Sequence, residues 1–197
     1  MNLFKDDFDA LILSKVSDIL HSLFKVYKEN FMPAFEQTLP HFVLLLSPDR
    51  PFTDRQWALC VWDDVVEFCG AQSIKYQEYF LKRLIEQLVD ETPEVRQAAS
   101  YGVGQMAMQG GTQYAQACAT SMSLLIQVIN DRESRSVENI QATENAISAV
   151  TKILKYNNTS LPNVNQLLPT WFSWLPVYDD SEETPFVYGY LCDLVER

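Results

Sequence analysis

The sequence predicts an all-α fold built from stacked helix pairs. Three observations support this prediction: an apolar stripe with the period of an α-helix, its return about every 40 residues, and proline and glycine residues where paired helices would turn. One copy of the stripe consists of Ala58, Val61, Trp62, Val65, Val66 and Cys69. Its spacing of 0, 3, 4, 7, 8 and 11 places the six side chains on one helix face.

The stripe occurs five times along the chain. Its copies begin at Val16, Ala58, Ala99, Ala142 and Val187, so successive steps are 42, 41, 43 and 45 residues. We predict a second helix in each interval, at 31–46, 75–89, 113–129 and 164–174. The chain would then form a single array, expected to be part of a longer protein. This array has an orphan first helix and about four helix pairs, at 31–70, 72–111, 112–157 and 162–197.

Proline and glycine residues fall at the boundaries of these predicted helices. Pro51 and Pro93 stand where stripe helices would begin, a position at which proline loses no helical hydrogen bond. Gly70 and the pair Gly110-Gly111 stand where stripe helices would end, because glycine readily adopts the positive φ that follows a helix. No segment alternates apolar and polar residues for long enough to predict a sheet.

The composition limits the classes of partner. The chain has 197 residues with a net charge of −11, which disfavours nucleic acid and favours basic protein segments as partners. The sequence has neither a membrane-length apolar run nor a basic stretch at its start, so we expect an intracellular protein with no membrane contact. Four cysteines without C-x-x-C spacing and two histidines predict no metal site.

One motif suggests a cofactor, but its predicted context does not support that interpretation. Gly102, Gly104 and Ala107 match the dinucleotide fingerprint G-x-G-x-x-G/A. That fingerprint needs a strand before it and a turn at its first glycine, whereas here it falls inside a predicted helix. We therefore expect no cofactor, and interpret the small residues as space for a neighbouring helix.

The residues Asp90, Val95, Arg96 and Ala99 resemble the turn and second-helix signature of HEAT repeats. Within the HEAT proteins, nearly the whole chain resembles the C-terminal part of the importin-β superfamily, in its importin-5 (karyopherin beta-3) group. The stretches that carry this likeness are ILSKVSDILHS (12–22), PEVRQAASYG (93–102), ATENAISAV (142–150) and LPTWFSWLP (168–176).

The resemblance implies a HEAT-repeat superhelical solenoid that acts as a nuclear transport receptor. Such a receptor carries protein cargo through the nuclear pore, contacts nucleoporins and exchanges cargo under control of the Ran GTPase. The family's main Ran-binding surface lies in N-terminal repeats, which we expect to be absent from this chain. The resemblance also implies that Asp90 and Arg96 form a ladder between successive repeats, and that the second helices line the concave surface.

A polar face opposite the stripes is the candidate cargo site. The offsets +2, +6 and +9 from each stripe start give largely polar residues, and an acidic group on this face would attract a basic cargo segment. The candidate cargo-binding residues are Asp63, Asp64, Glu67, Trp57, Gln105 and Glu144. The alternative is that this face is ordinary solvated surface, since charge clusters in a sequence usually are.

Two other functions compete with transport. A HEAT scaffold subunit of another complex would share the fold without a transport role, because fold alone does not determine function. An enzyme is the third hypothesis, with Asp63, Asp64 and Glu67 as a carboxylate site. These acids lie on one predicted helix with no second group converging on them, so we predict no catalytic residues.

Overall fold

The computed structural model describes residues 3–161 and 164–196, and within those ranges all regular structure is helical. Residues 162 and 197, which bound the last predicted repeat, lie outside the described residues. Short 3₁₀ turns follow several of the α-helices. The ten described α-helices are α1 (Leu3–Tyr27), α2 (Met32–Phe35), α3 (Leu39–Leu45), α4 (Phe52–Cys69), α5 (Gln77–Gln87), α6 (Pro93–Met108), α7 (Ala115–Ile129), α8 (Ile140–Tyr156), α9 (Val164–Ser173) and α10 (Thr184–Val195).

The five helices that carry the apolar stripe form one layer. In this layer α1 contacts α4, α4 contacts α6, α6 contacts α8, and α8 contacts α10. Three of the other helices lie beside this layer: α3 contacts α4, α5 contacts α4 and α6, and α7 contacts α6 and α8. The predicted all-α array of stacked helix pairs is therefore confirmed. We call α1, α4, α6, α8 and α10 the stripe helices.

Backbone geometry explains where the stripe helices end. Gly70 follows α4 with φ of 55°, and Gly111 closely follows α6 with φ of 71°. Residues that carry a side chain rarely adopt a positive φ, so glycine is suited to both positions. The residue after α1 is Lys28, which takes φ of 51° without being glycine. A residue with positive φ thus follows the first three stripe helices, whereas α8 ends at Asn157 with φ of −127°.

The stripes form the core wherever a stripe helix has stripe helices on both sides. Trp62 of α4 is fully buried, with its ring stacked on Phe80 at 4.8 Å between centroids. The predicted stripe is wrong at the ends of the layer, where Ile19 is 61% exposed and Val195 is 78% exposed. Helices α1 and α10 each contact one stripe helix, so part of their apolar face meets solvent.

Two glycines set the spacing on either side of α6. A Cβ at Gly102 would lie 2.2 Å from Oδ1 of Asp63 on α4, and one at Gly104 would lie 3.0 Å from Cδ of Lys152 on α8. Both glycines lie within α6. The fingerprint-like motif therefore provides space for two neighbouring helices, as the sequence predicted.

Asp90 holds the turn between α5 and α6 to the preceding repeat. Its two carboxylate oxygens accept hydrogen bonds from Nη2 of Arg55, on α4, at 3.1 and 2.9 Å. Oδ1 also accepts the backbone N–H of Thr92 at 2.9 Å, which fixes the start of α6. The side chains of Arg55 and Asp90 are only 10% and 15% exposed, so solvent screens this pair weakly.

Arg96 reaches from α6 to the following repeat. Its Nη1 donates to the backbone carbonyl oxygens of Asp90 at 2.6 Å and Glu91 at 2.9 Å. Its Nη2 donates to Oδ1 of Asn139, in the turn before α8. Asp90 and Arg96 together therefore contact the turns or helices of three successive repeats. Their contribution to stability stays a prediction.

We expect Arg96→Ala to lower the free energy of unfolding by about 1.5–3 kcal/mol, because three acceptors lose a charged donor. Thermal melting of the variant and of the unmodified chain measures the loss. Arg83→Ala is the matched control, since Arg83 pairs with Glu86 on an exposed face and should contribute less than about 1 kcal/mol. Equal melting temperatures for the Arg96 variant and the unmodified chain would contradict a stabilising role for the Asp90 and Arg96 ladder.

Candidate functional site

A surface pocket of about 200 Å³ opens where α1, α4 and α6 meet. We call it the acidic pocket. It is small, and most of the side chains at its wall are acids or hydrogen-bonding groups. Its wall includes Asp18, His21, Asp63, Asp64, Glu67 and Tyr101.

Asp64 connects the first two stripe helices. Nδ1 of His21, on α1, lies 2.8 Å from Oδ1 of Asp64 and forms a hydrogen bond with it. The His21 ring also makes an edge contact with Phe68, which helps to fix its orientation. Burial raises the pKa of Asp64 to about 6, while the hydrogen bond with His21 opposes the rise. Asp64 is therefore mostly ionised at neutral pH.

Asp63 lies deeper and has a different environment. The residue is 3% exposed, and its Oδ1 is buried without a hydrogen-bond partner. Burial raises the pKa of Asp63 well above its ordinary value of 3.8, and the nearby Asp64 and Glu67 carboxylates raise it further. A buried carboxylate with no partner is costly, so the carboxyl group holds its proton to higher pH than an exposed aspartate does.

Glu67 forms the side of the acidic pocket next to α6. One of its carboxylate oxygens accepts a hydrogen bond from the Tyr101 hydroxyl at 2.8 Å. Burial, followed by the Glu67 charge, raises the pKa of Tyr101, so this phenol remains a donor. Lys152 lies beyond the Tyr101 ring, but its Nζ is 2.7 Å from Glu183 and that pair is buried. The nearby ammonium charge is thus already paired.

The other three candidate residues do not line the acidic pocket. Trp57 is half-buried near the start of α4. Gln105 is 2% exposed on α6, where its Oε1 has no hydrogen-bond partner. Glu144 is also 2% exposed, and its carboxylate accepts the backbone N–H groups of Tyr178 at 3.0 Å and Asp180 at 2.8 Å.

The expectation of an exposed polar face along the stripe helices therefore needs correction. Glu144 is covered by the loop between α9 and α10, whose backbone it holds in place. Gln105 is enclosed between neighbouring helices of the layer. Helical periodicity gives the direction of a side chain from its own axis, but it does not show what another segment places over it. Only Asp63, Asp64 and Glu67 of the six candidates come together.

His21 is a pocket residue that the sequence reasoning missed. It contributes the hydrogen bond to Asp64, yet it precedes that residue by 43 positions. A signal was present: His21 lies five positions after Val16, and Asp63 lies five positions after Ala58. Equivalent positions on adjacent stripe helices are neighbours in a repeat array, so aligning the repeats would have placed His21 beside the acids.

Comparisons with known proteins find relatives along nearly the whole chain. The family model described as Importin repeat 6 matches residues 3–48. The importin subunit beta-3 of Saccharomyces cerevisiae is 30% identical over 98% of this chain and 18% of its own length. A probable importin-5 homolog of Dictyostelium discoideum is 27% identical over 86% of this chain and 16% of its own length. The chain thus spans less than a fifth of these relatives, which are importins by name.

Solved structures of the karyopherin Kap121p share the same fold. The Kap121p complex with RanGTP superposes with a TM-score of 0.87 at 27% identity, covering 98% of this chain and 18% of Kap121p. The Kap121p complex with the SUMO protease Ulp1p gives a TM-score of 0.86 at 28% identity, covering 97% of this chain and 18% of Kap121p. The Kap121p complex with Nup53p gives a TM-score of 0.84 at 26% identity, covering 94% of this chain and 17% of Kap121p.

We expect Asp63 to make the free energy of unfolding depend on pH. Because folding raises the pKa of this acid above 3.8, the folded chain binds the proton more tightly than the unfolded chain. The contribution of Asp63 to the free energy of unfolding is therefore present at low pH and is lost as pH rises toward the raised pKa. Relative to the unmodified chain, Asp63→Asn should gain up to about 1.4 kcal/mol per pH unit over that range.

Urea denaturation of both proteins from about pH 5 to about pH 8 measures this difference. Asp18→Asn is the control, because the Asp18 side chain is 63% exposed and the chemical change is the same. A constant difference between Asp63→Asn and the unmodified chain at all pH values would show that Asp63 is ionised in the folded protein.

Proposed function

We propose that the chain belongs to the importin-β superfamily and is part of a nuclear transport receptor that binds protein cargo for import through the nuclear pore. One observation carries this proposal: almost all of the chain is similar to importins in both sequence and helix arrangement. In the full-length protein, Ran would control cargo exchange through N-terminal repeats, and nucleoporins would be further partners, as with the RanGTP and Nup53p complexes of Kap121p.

We infer that the acidic pocket contributes to cargo binding by accepting a basic side chain. Asp64 and Glu67 supply two carboxylates at its wall, and the net charge of −11 attracts basic segments from a distance. The hydrogen bonds from His21 and Tyr101 hold both carboxylates in place before a ligand arrives. Such preorganisation lowers the entropic cost of binding.

The proposed action is binding without catalysis. Three of the four pocket acids lie on α4, and the fourth, Asp18 on α1, pairs with Lys15. The other groups that reach the α4 acids are His21 and Tyr101, which are already engaged in hydrogen bonds. Within the described ranges, no group of His, Cys, Asp and Glu side chains is arranged to hold a metal ion. We propose no cofactor and no nucleic-acid partner, since an acidic surface repels phosphate.

We also propose that the protein moves between cytoplasm and nucleus by way of the nuclear pore, as an importin must. Among residues 3–161 and 164–196, no helix combines the length and apolar character needed to cross a bilayer.

Binding to phenylalanine-glycine nucleoporin repeats distinguishes a transport receptor from a HEAT scaffold of another complex. We expect the chain to be retained on immobilised repeats, and serine substitutions of the repeat phenylalanines to abolish retention. A scaffold subunit would pass unretained through a column of unmodified repeats and through a column of the serine-substituted repeats alike. Equal passage would therefore contradict a transport role for this part of the receptor.

We expect a lysine-rich peptide to bind the chain with an affinity that falls steeply as salt rises, because ions screen charges beyond about 8–10 Å at physiological ionic strength. Fluorescence anisotropy at two salt concentrations measures this dependence. The double variant Asp64→Asn with Glu67→Gln should weaken binding roughly tenfold, which corresponds to about 1.4 kcal/mol.

The matched control replaces Glu133 and Glu138 with glutamine. Both are exposed residues in the turn before α8, so the control removes the same net charge outside the acidic pocket. Circular dichroism confirms that each variant remains helical. Equal losses of affinity from the two double variants would mean that net charge, and not the acidic pocket, attracts the peptide.

A further inference from the structure

A buried lysine lies next to one wall of the acidic pocket. Lys152 of α8 is 1% exposed, and its Nζ lies 5.3 Å from the centroid of the Tyr101 ring. The Tyr101 hydroxyl donates to Glu67, and both of these residues line the acidic pocket. The ammonium group is therefore roughly 10 Å from Glu67, which is about the distance over which charges interact in dilute salt.

One acid compensates this buried charge. Oε2 of Glu183, in the loop before α10, is 2.7 Å from Nζ of Lys152 and also accepts a hydrogen bond from Ser148. Glu183 is itself only 4% exposed. The Phe186 ring lies 4.2 Å from the same Nζ, but an aromatic ring carries no net charge. Among the described residues, Glu183 alone forms an ion pair with Lys152, so the charge balance next to the acidic pocket depends on it.

We propose that the buried pair of Glu183 and Lys152 sets the charge of the acidic pocket from outside it. Glu183 neutralises an ammonium group that would otherwise repel a cationic side chain approaching the pocket. Neither member of the pair lines the pocket, so both act on a bound peptide through their charge and not through contact. This inference rests on the proposed function, because it identifies residues that control how strongly the acidic pocket attracts a basic segment.

Electrostatics explains why a pair outside the pocket matters. Both charges are buried, so solvent screens them weakly, and together they are nearly neutral at a distance. The Glu183 charge is felt at the pocket wall: burial, Glu67 and Asp63 raise the pKa of Tyr101, and Glu183 raises it further. Without Glu183, one positive charge would remain about 10 Å from a bound cation. At an effective dielectric constant of about 40, that repulsion would weaken cation binding roughly fourfold.

Removing one partner at a time should shift affinity in opposite directions. Glu183→Gln keeps the ammonium group but not its partner, so a lysine-rich peptide should bind roughly fourfold more weakly. Lys152→Met keeps the carboxylate alone, so the peptide should bind roughly fourfold more tightly. The double variant removes both charges and should bind within about twofold of the unmodified chain. A loss of local structure, by contrast, would weaken binding in both single variants.

Fluorescence anisotropy with a labelled lysine-rich peptide measures these affinities in dilute salt. Each single variant leaves a buried charge unpaired and should melt at a lower temperature, so binding is measured well below the lowest melting temperature. Raising the salt concentration should reduce both shifts, because ions in the open pocket screen charges beyond about 8–10 Å. Ser148→Ala is the control: it removes a hydrogen bond to Glu183 but keeps both charges, so affinity should stay nearly unchanged.

Opposite shifts that cancel in the double variant are the expected result. Weaker binding by both single variants, or equal binding by all four proteins, would overturn the role of this pair and leave the acidic pocket as a binding site. If Glu183→Gln does not fold, Lys152→Met and the double variant decide the question, because only the first should bind more tightly than the unmodified chain. Absence of peptide binding by the unmodified chain would overturn both this inference and the proposed role of the pocket.

Discussion

Helix α6 lies between α4 and α8, and the closeness of these contacts determines much of the remaining structure. Gly102 and Gly104 have no side chain to separate the helices, so Asp63 on one side and Lys152 on the other approach the α6 backbone. Close approach buries apolar neighbours such as Val65 and Val103 completely. The same approach removes polar side chains from water, and these side chains then need hydrogen-bond or ion-pair partners within the protein.

Most of those polar side chains find partners across the layer. Glu67 bonds to Tyr101, Lys152 pairs with Glu183, and Asn145 donates to Asp180 at 2.6 Å. Each contact joins a stripe helix to the next stripe helix or to the loop between α9 and α10. Breaking a buried ion pair such as Lys152 with Glu183 typically costs 3–5 kcal/mol, about as much as a large core truncation. The polar groups therefore help to fix the register of the layer, whereas Oδ1 of Asp63 and Oε1 of Gln105 are buried without a partner.

The turns contribute a second set of constraints. Arg55 and Arg96 both belong to stripe helices, and both donate to groups in a turn that precedes a stripe helix. These contacts repeat at intervals close to the repeat length, so neighbouring repeats are connected in the same way along the chain. A rigid connection matters for binding, because α1, α4 and α6 each supply a wall of the acidic pocket. Movement between repeats would separate His21 from Asp64 and alter the charge that a ligand meets.

The sequence by itself determined the fold class, the order of the helices and most of the core. Those features follow from local rules: the helical period places Trp62 and Val65 on one face, and Gly70 or Pro93 ends or begins a helix wherever the chain folds. Only the tertiary structure decided which polar residues are buried, which acids meet and which of them keeps its proton. The environment of Asp63 depends on atoms of α1 and α6 about 40 residues away in sequence, because desolvation and charge act through space and not along the chain.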